Sequence, residues 1–389
     1  MKILIIDIST IEGGHEKYYL ENIILSDNEY IFLLGKNNEN IFHKKYIFRT
    51  SKANEKFTRI IRNTNNPIKY FVCRSILVLL NIYKNIVFSR LINKIISIEK
   101  PDVCHFLNGD AFSTFDNLGN AVRNLVFNIA ILKRIRKKSD IIATIHHVKH
   151  NWLSRTWRKK IFKSISLGVA HTDAIVEILK KEEISNVVHI EYPCFEGKSD
   201  LNVSQAKEYW ELPLDVSVLA VLGGTRYDKG LDILLEALIN VTAPFYLLIA
   251  GKGETYKEDF INKAVASYKD NVKVCLRVLT TGEFKNAAMA SDFIVLPYRK
   301  IFNGASGPLV EGVAAKKPII GSSHGSVGSI IKDNHIGYTF KSEDVSDLTD
   351  VLNHALSNGF YYDDTADKYV EYLNPARFQK EYADLYNRL

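Results

Sequence analysis

Cysteine is scarce in this chain: four among 389 residues, at Cys73, Cys104, Cys194 and Cys275, with no Cys-x-x-Cys pair. Thiols scattered in this way argue against a disulfide framework or a zinc site and fit a reducing compartment. No Asp-x-Asp run or histidine cluster offers a metal its ligands, so neither a metal nor a resident cofactor is expected. No uncharged apolar run approaches the roughly 20 residues that cross a bilayer. The N-terminal MKILIIDIST meets Asp7 too soon for a secretory signal and reads as a buried first strand. No nucleic-acid-binding motif accompanies the basic charge. What is present, 46% hydrophobic and 24% charged residues, is the composition of a globular protein. The length exceeds one ordinary core and suggests two domains.

The formal net charge of +7 is unevenly spread. Residues 1–195 hold 30 Lys+Arg against 18 Asp+Glu, whereas the remainder holds 21 against 26. From Lys52 to Lys100 ten basic residues face two acids, Glu55 and Glu99. Within that span Tyr70 to Ile98 is apolar, interrupted by Arg74, Lys84, Arg90 and Lys94. A basic, apolar helical surface suits an anionic membrane face; two core helices with solvated lysines are the other reading. The first places the protein in the cytoplasm at the inner face of the membrane. Trp152, Arg155, Trp157 and Arg158 form a second basic and aromatic group, suited to an acceptor or a membrane, or to a plain amphipathic helix.

Along the first half, strands are expected at 2–9, 29–36, 101–108, 140–148, 167–172 and 186–195, with helices near 17–24, 52–63, 70–98 and 114–137. Residues 196–216 are polar and read as a linker. The pattern then restarts, with strands at 216–224, 244–253, 271–279, 292–298 and 318–322. Helices are expected at 229–240, 283–291, 309–317 and 342–357, and a turn at 325–333. Short apolar runs alternating with helices give parallel sheets covered on both faces. The expected fold is therefore α/β, with two Rossmann-like domains facing a central cleft: 1–195 on the acceptor side and 217–373 binding the donor. The helix at 374–389 either crosses back to the first domain or finishes the second.

Two stretches carry the chemistry. LGGTRYDKG (Leu222 to Gly230) is a Gly-rich turn between strand and helix, with Arg226 and Lys229 in or just past it. NGASGPLVEGVAAKKP (Asn303 to Pro318) feeds a helix whose start, Ser306-Gly307-Pro308, leaves its first amides open to an anion. Gly304 and Gly307 let a phosphate approach the backbone, and Glu311, one turn inside, suits a sugar diol. Cations, free amides and one carboxylate are what a nucleotide-sugar site needs.

The order LGGTRYDKGLDILLEAL, LLIAGKGE, SDFIVLPYR and GPLVEGVAAKKPIIGSSHGSVGSII resembles the C-terminal domain of GT-B glycosyltransferases of the family 4 (group 1) type, including those of bacterial surface-polysaccharide synthesis. The resemblance covers residues 216–357. It implies that Arg226 and Lys229 neutralise a donor diphosphate and that Glu311 binds the ribose. Gly224, Gly251, Gly253, Glu254, Asn303, Gly304, Ser306 and Gly307 would line the nucleotide or sugar. The family's E-x7-E motif departs here, because its first acid falls on Asn303, which hydrogen-bonds without supplying charge. In the first half, Gly13-Gly14 resembles the family's N-terminal glycine turn, and ATIHHV its Thr-x-His strand end. His146, favoured by position over His147, is the catalytic candidate there. His105 and His15 are weaker ones, and His171 reads as a cap or packing residue.

The resemblance implies transfer of a glycosyl group, with retention, from a UDP- or GDP-sugar to a hydroxyl of a glycan or lipid-linked acceptor. The nucleotide sugar is a co-substrate. A nucleotide-sugar epimerase and a non-catalytic nucleotide-sugar-binding subunit are the alternatives; the turn at 223–230 lacks the G-x-G-x-x-G spacing of a dehydrogenase.

Overall fold

The computed structural model describes residues 1–7, 15–24, 27–35, 44–48, 52–110, 129–148, 152–194 and 197–389. The chain divides into two units. The first comprises Met1–Gly13, Ile24–Ile190 and Glu381–Leu389; the second comprises Gly14–Ile23 and Glu191–Lys380.

The first unit is built on a seven-stranded parallel sheet in the order β3-β2-β1-β4-β5-β6-β7. Its strands are β1 (Lys2–Asp7), β2 (Glu29–Leu34), β3 (Lys44–Ile47), β4 (Val103–Phe106), β5 (Asp140–Ile145), β6 (Leu167–Ala170) and β7 (Val187–His189). The central strands are buried on both faces, which is why they read as unbroken apolar runs rather than alternating ones. One face is covered by α3 (Pro67–Glu99), α4 (Ile129–Ile135), α5 (Trp152–Phe162) and α6 (Asp173–Lys181), whose apolar residues join Leu4, Ile6, Cys104 and Phe106 in one cluster. The helix α2 (Lys52–Asn63) packs along α3. Buried Arg158 of α5 holds the end of α6 through two bonds to Glu182, at 2.7 and 2.6 Å. The helix α1 (His15–Ile23) groups with the second unit, where Tyr19 meets Phe378 edge-on at 5.5 Å.

The second unit carries a six-stranded parallel sheet in the order β10-β9-β8-β11-β12-β13. Its strands are β8 (Val218–Leu222), β9 (Tyr246–Ala250), β10 (Val272–Cys275), β11 (Phe293–Leu296), β12 (Ile319–Ser322) and β13 (Gly337–Phe340). Neighbouring residues along a strand enter opposite cores. Val218, Ala220 and Leu222 pack with α7 (Val203–Tyr209), α10 (Thr281–Ala290), α11 (Gly307–Ala314), α12 (Gly325–Asp333) and α14 (Asp364–Tyr372). Leu219 and Val221 pack instead with α8 (Leu231–Leu238), α9 (Glu258–Ala264) and α13 (Val345–Asn358). The strand order reverses between β8 and β11, the switch point outside which open parallel sheets bind ligands. The final helix α15 (Pro375–Asn387) begins in the second unit, and its residues from Glu381 onward belong to the first.

Several expectations need correction. Part of the polar stretch 196–216 is the helix α7, closed by a capping box between Asn202 and Gln205, and Ala206 and Trp210 join the core. The residues read as a turn at 325–333 form α12; their glycines obscure a helical period that Val327 and Ile331 nevertheless bury. β3 and β13 were not expected, because both are short and only partly buried. Of the helix expected at 114–137, only Ile129–Ile135 lies within the described residues. α3 starts earlier than expected, capped by Asn66, whose side chain accepts from the Lys69 amide. Contrary to the reading of short apolar runs, α3 is by length and composition long enough to cross a bilayer. Phe88, Ile92, Ile95 and Ile96 of its second half are nevertheless core residues of the first unit.

Two buried histidines bear on stability. Nδ1 of His105 lies 2.8 Å from the Tyr386 hydroxyl and Nε2 lies 2.9 Å from Thr144 Oγ1, so the ring ties β4 to β5 and to the chain's last turns. His171 donates through Nδ1 to the Ile190 carbonyl at 2.7 Å. Burial, reinforced by nearby His146, pushes the pKa of each down to about 3. An unfolded histidine titrates near 6.5, so below that pH the unfolded chain binds protons that the folded unit refuses. Stability is fully present above pH ~6.5 and falls as pH drops toward 3, by up to about 1.4 kcal/mol per pH unit for each ring. The urea midpoint at about pH 5 should therefore lie below that at pH ~7.5, and His105→Gln should flatten the difference. Equal midpoints at the two pH values would contradict this account.

Candidate nucleotide-sugar site

The turn after β8 is shaped by close backbone approach. Gly223 has φ 93° and Gly251, in the turn after β9, has φ 149°. A Cβ on Gly251 would stand 2.1 Å from the Gly223 carbonyl oxygen, so the two turns touch main chain to main chain. Thr225 binds the same two turns through its side chain: Oγ1 donates to the Tyr256 carbonyl at 2.7 Å and accepts from the Glu254 amide at 2.9 Å. Glu254 is thereby placed beside Gly224, its Oε2 2.9 Å from where a Cβ there would be. Gly253 is the middle of this turn and packs near Leu276.

Past the turn the chain makes a 3-10 turn at Tyr227–Lys229. Arg299, from beyond β11, fixes it. Its amide donates to the Asp228 carbonyl at 2.9 Å, its Nε donates to the Tyr227 carbonyl at 3.0 Å, and its guanidinium lies 4.2 Å over the Tyr227 ring. Arg299 also pairs with Asp232 at 2.5 Å and Glu343 at 3.2 Å. Its charge is thus spent on structure.

Lys229 is different. Its Nζ lies 3.0 Å from where a Gly223 Cβ would stand and 5.6 Å from the Tyr298 ring centroid. Among the described residues it has no carboxylate at ion-pair distance. The same Gly223 position is 3.7 Å from Pro308 Cγ, in the first turn of α11. The two stretches singled out in the sequence therefore meet at the switch point. Arg226 sits beside them with its guanidinium forked onto Asp228, at 2.9 and 2.7 Å. That hydrogen bond raises its pKa further and already satisfies part of its charge.

α11 begins as its sequence predicts. Ser306 caps it, accepting from the Leu309 amide at 3.3 Å, and the Tyr298 hydroxyl lies 3.0 Å from Ser306 Oγ. Gly307 and Pro308 are the first helical residues. Gly304 is buried and Asn303 half-buried in the loop before it. Glu311 is 4% exposed, and the Cys194 thiol donates to its Oε2 at 3.4 Å.

In the first unit His146 stands just past the carboxyl end of β5. Its Nε2 lies 2.8 Å from the Leu107 carbonyl, so Nε2 carries a proton and donates there. Asp110 accepts from the His146 and His147 amides at 2.8 and 3.2 Å; burial raises the Asp110 pKa, against the pull of both histidines. Gly13 and Gly14 lie outside the described residues, and so does the side chain of His15. Sequence reasoning did not select Asp110, Cys194, Tyr298 or Arg299. Only Tyr298 and Arg299 had a signal, as the end of SDFIVLPYR.

Residues 216–358 match the family described as Glycosyl transferases group 1. An uncharacterised glycosyltransferase of Methanocaldococcus jannaschii is 29% identical over 135 residues, 33% of this chain and 35% of its own. The phosphatidyl-myo-inositol mannosyltransferase of Mycobacterium leprae is 27% identical over 239 residues, 57% of this chain and 59% of its own. The chain thus spans between about a third and three-fifths of these curated relatives. HepE of Anabaena, solved in complex with UDP, superposes with a TM-score of 0.69 at 13% identity, covering 100% of both chains.

Proposed function

We propose, from the GT-B fold and the match of residues 216–358 to the group 1 glycosyl transferases, that the chain transfers a glycosyl group from a nucleotide-diphosphate sugar to an acceptor hydroxyl. The observation that carries the reading is the meeting of Lys229 with the start of α11 at the strand-order switch. Charge develops on the leaving diphosphate in the transition state. A fixed ammonium beside the start of α11 stabilises it without reorganising, although the Leu309 and Val310 amides of that first turn are already taken by Ser306. Arg226 adds a second cation once a phosphate competes with Asp228 for it. Glu311 takes the ribose hydroxyls; Gly224, Gly251, Gly253 and Glu254 line the turn side, and Asn303, Gly304, Ser306 and Gly307 the loop side. His146, held at the end of β5, is the catalytic candidate of the first unit. A UDP- or GDP-linked donor, retention at the anomeric carbon, and a glycan or lipid-linked acceptor of cell-surface polysaccharide complete the proposal; HepE, solved with UDP, supports the diphosphate part.

The test is release of UDP or GDP from a panel of nucleotide sugars, with and without membrane-extracted acceptor. Acceptor-dependent release is expected. Conversion of the donor alone would favour an epimerase, and binding without turnover a non-catalytic subunit.

The acceptor side includes a membrane contact at the cytoplasmic face. On α3 the residues Ile68, Phe71, Leu79 and Tyr83 are 67–75% exposed and share a side turned away from the buried Phe88 and Ile92. Exposed Arg74, Arg90 and Lys94 accompany them. Phe71→Asp with Leu79→Asp should abolish sedimentation with phosphatidylglycerol vesicles; undiminished sedimentation would remove the membrane from this reading.

A further inference from the structure

The first unit has a second concentration of charge, at the opposite edge of its sheet from His146. α4 and α5 both end at the amino-terminal side of the strands that follow them, β5 and β6. Between their last turns lies a cavity of about 450 Å³ lined by Lys133, Arg136, Lys137, Lys160 and Lys163, with Ile129 and Ser164. A six-residue strand separates this edge from His146 by about 20 Å.

Basic residues at helix ends are ordinary, because they offset the negative end of the helix dipole. That accounts for a lysine on each helix and not for five cations around one hollow. Arg136 alone is neutralised, by Asp140 at 2.9 Å. The other four make no ion pair among the described residues. Neighbouring Lys138 and Lys159 show the contrast: they are engaged by Ser97 and Glu183. Lys160 is held 4.1 Å over the Trp157 ring, which fixes a cation at the rim. The Arg158–Glu182 pair anchors α5 beneath it. Like charges gathered in a concavity attract a multiply charged anion. The volume suits a small ligand and not a folded partner.

We propose that this cleft binds a phosphate-bearing ligand, separately from the nucleotide-sugar site. An anionic phospholipid headgroup and a free polyphosphate share that chemistry, and the measurement separates them. Lys133, Lys137, Lys160 and Lys163 are exposed, so replacing all four with Gln leaves the core intact. Wild type and variant are titrated with inorganic pyrophosphate by calorimetry in excess UDP, which occupies the donor site. Both are also sedimented with vesicles of phosphatidylglycerol in phosphatidylcholine and of phosphatidylcholine alone.

The variant should lose at least about tenfold in one arm, given the contribution of each lysine near an anionic surface. Loss confined to phosphatidylglycerol vesicles identifies a headgroup, and loss of pyrophosphate binding identifies a free polyphosphate. Equal binding of wild type and variant in both arms overturns the proposal. UDP affinity should be unchanged. If it falls as well, Lys160→Gln with Lys163→Gln alone repeats the comparison, and unchanged binding there is equally decisive. Failure of this cleft leaves the donor reading standing, and a protein that binds no UDP is tested in the same way without it.

Discussion

Lys229→Ala should lower the turnover of a nucleotide-sugar donor by about a hundred- to a thousandfold, with the melting temperature unchanged. The size follows from the residue's situation. A donor aimed at charge that develops in the transition state is worth that much when it is already in place and partly shielded from water. Lys229 is half-buried, directed at Gly223 and the first turn of α11, and not committed to a carboxylate among the described residues. Removing it leaves no buried partner stranded, so folding should not suffer. Arg226→Ala should cost less, because Asp228 already holds that guanidinium in a two-point fork. Lys229→Arg should not rescue activity: the site meets a point charge beside a glycine, and a planar fork needs more room there. Steady-state kcat with a single donor, beside a thermal melt, decides this. A Lys229→Ala enzyme with normal kcat would remove the lysine from the site, and a large fall in melting temperature would show a structural role instead.

The residues behind that prediction were legible in the sequence because the chain must spell out such turns locally. Gly223, Gly251 and the Ser306-Gly307-Pro308 start are demanded by backbone geometry, and only a few residue types satisfy it. The sheet strands were equally legible, since burial on both faces leaves a continuous apolar run. What stayed hidden depends on residues far apart in the chain. Arg299 reads as one more surface cation; only the fold carries it to the 3-10 turn, about seventy positions earlier. Cys194 reads as a stray thiol until it meets Glu311. The pairing of Arg226 with Asp228 spans two residues, yet sequence gives no reason to prefer it over a free guanidinium. α12 was missed for a local reason, its glycines, and β3 because an edge strand rich in lysine has no pattern that separates it from a loop.

Glu311 is the residue where stability and function should part. Its carboxylate is 4% exposed, and the contact from the Cys194 thiol, at 3.4 Å, is a weak one. Gln keeps the shape of the side chain and its capacity to hydrogen-bond, so Glu311→Gln should melt close to the wild-type temperature. Its affinity for UDP should fall about 10- to 100-fold, the worth of a charge-assisted hydrogen bond of about 1.5–3 kcal/mol. A ribose partner makes a sharper demand. If the carboxylate accepts from the ribose hydroxyls, wild-type protein should prefer UDP over 2′-deoxy- or 3′-deoxy-UDP, and Glu311→Gln should lose most of that preference. Cys194→Ala should leave the preference intact, because the thiol touches the carboxylate and not the ligand. Calorimetric titration of the three nucleotides against the three proteins measures each of these terms. A Glu311→Gln variant that binds all nucleotides more weakly but still prefers UDP would assign Glu311 to the packing of α11, and the ribose would need another partner.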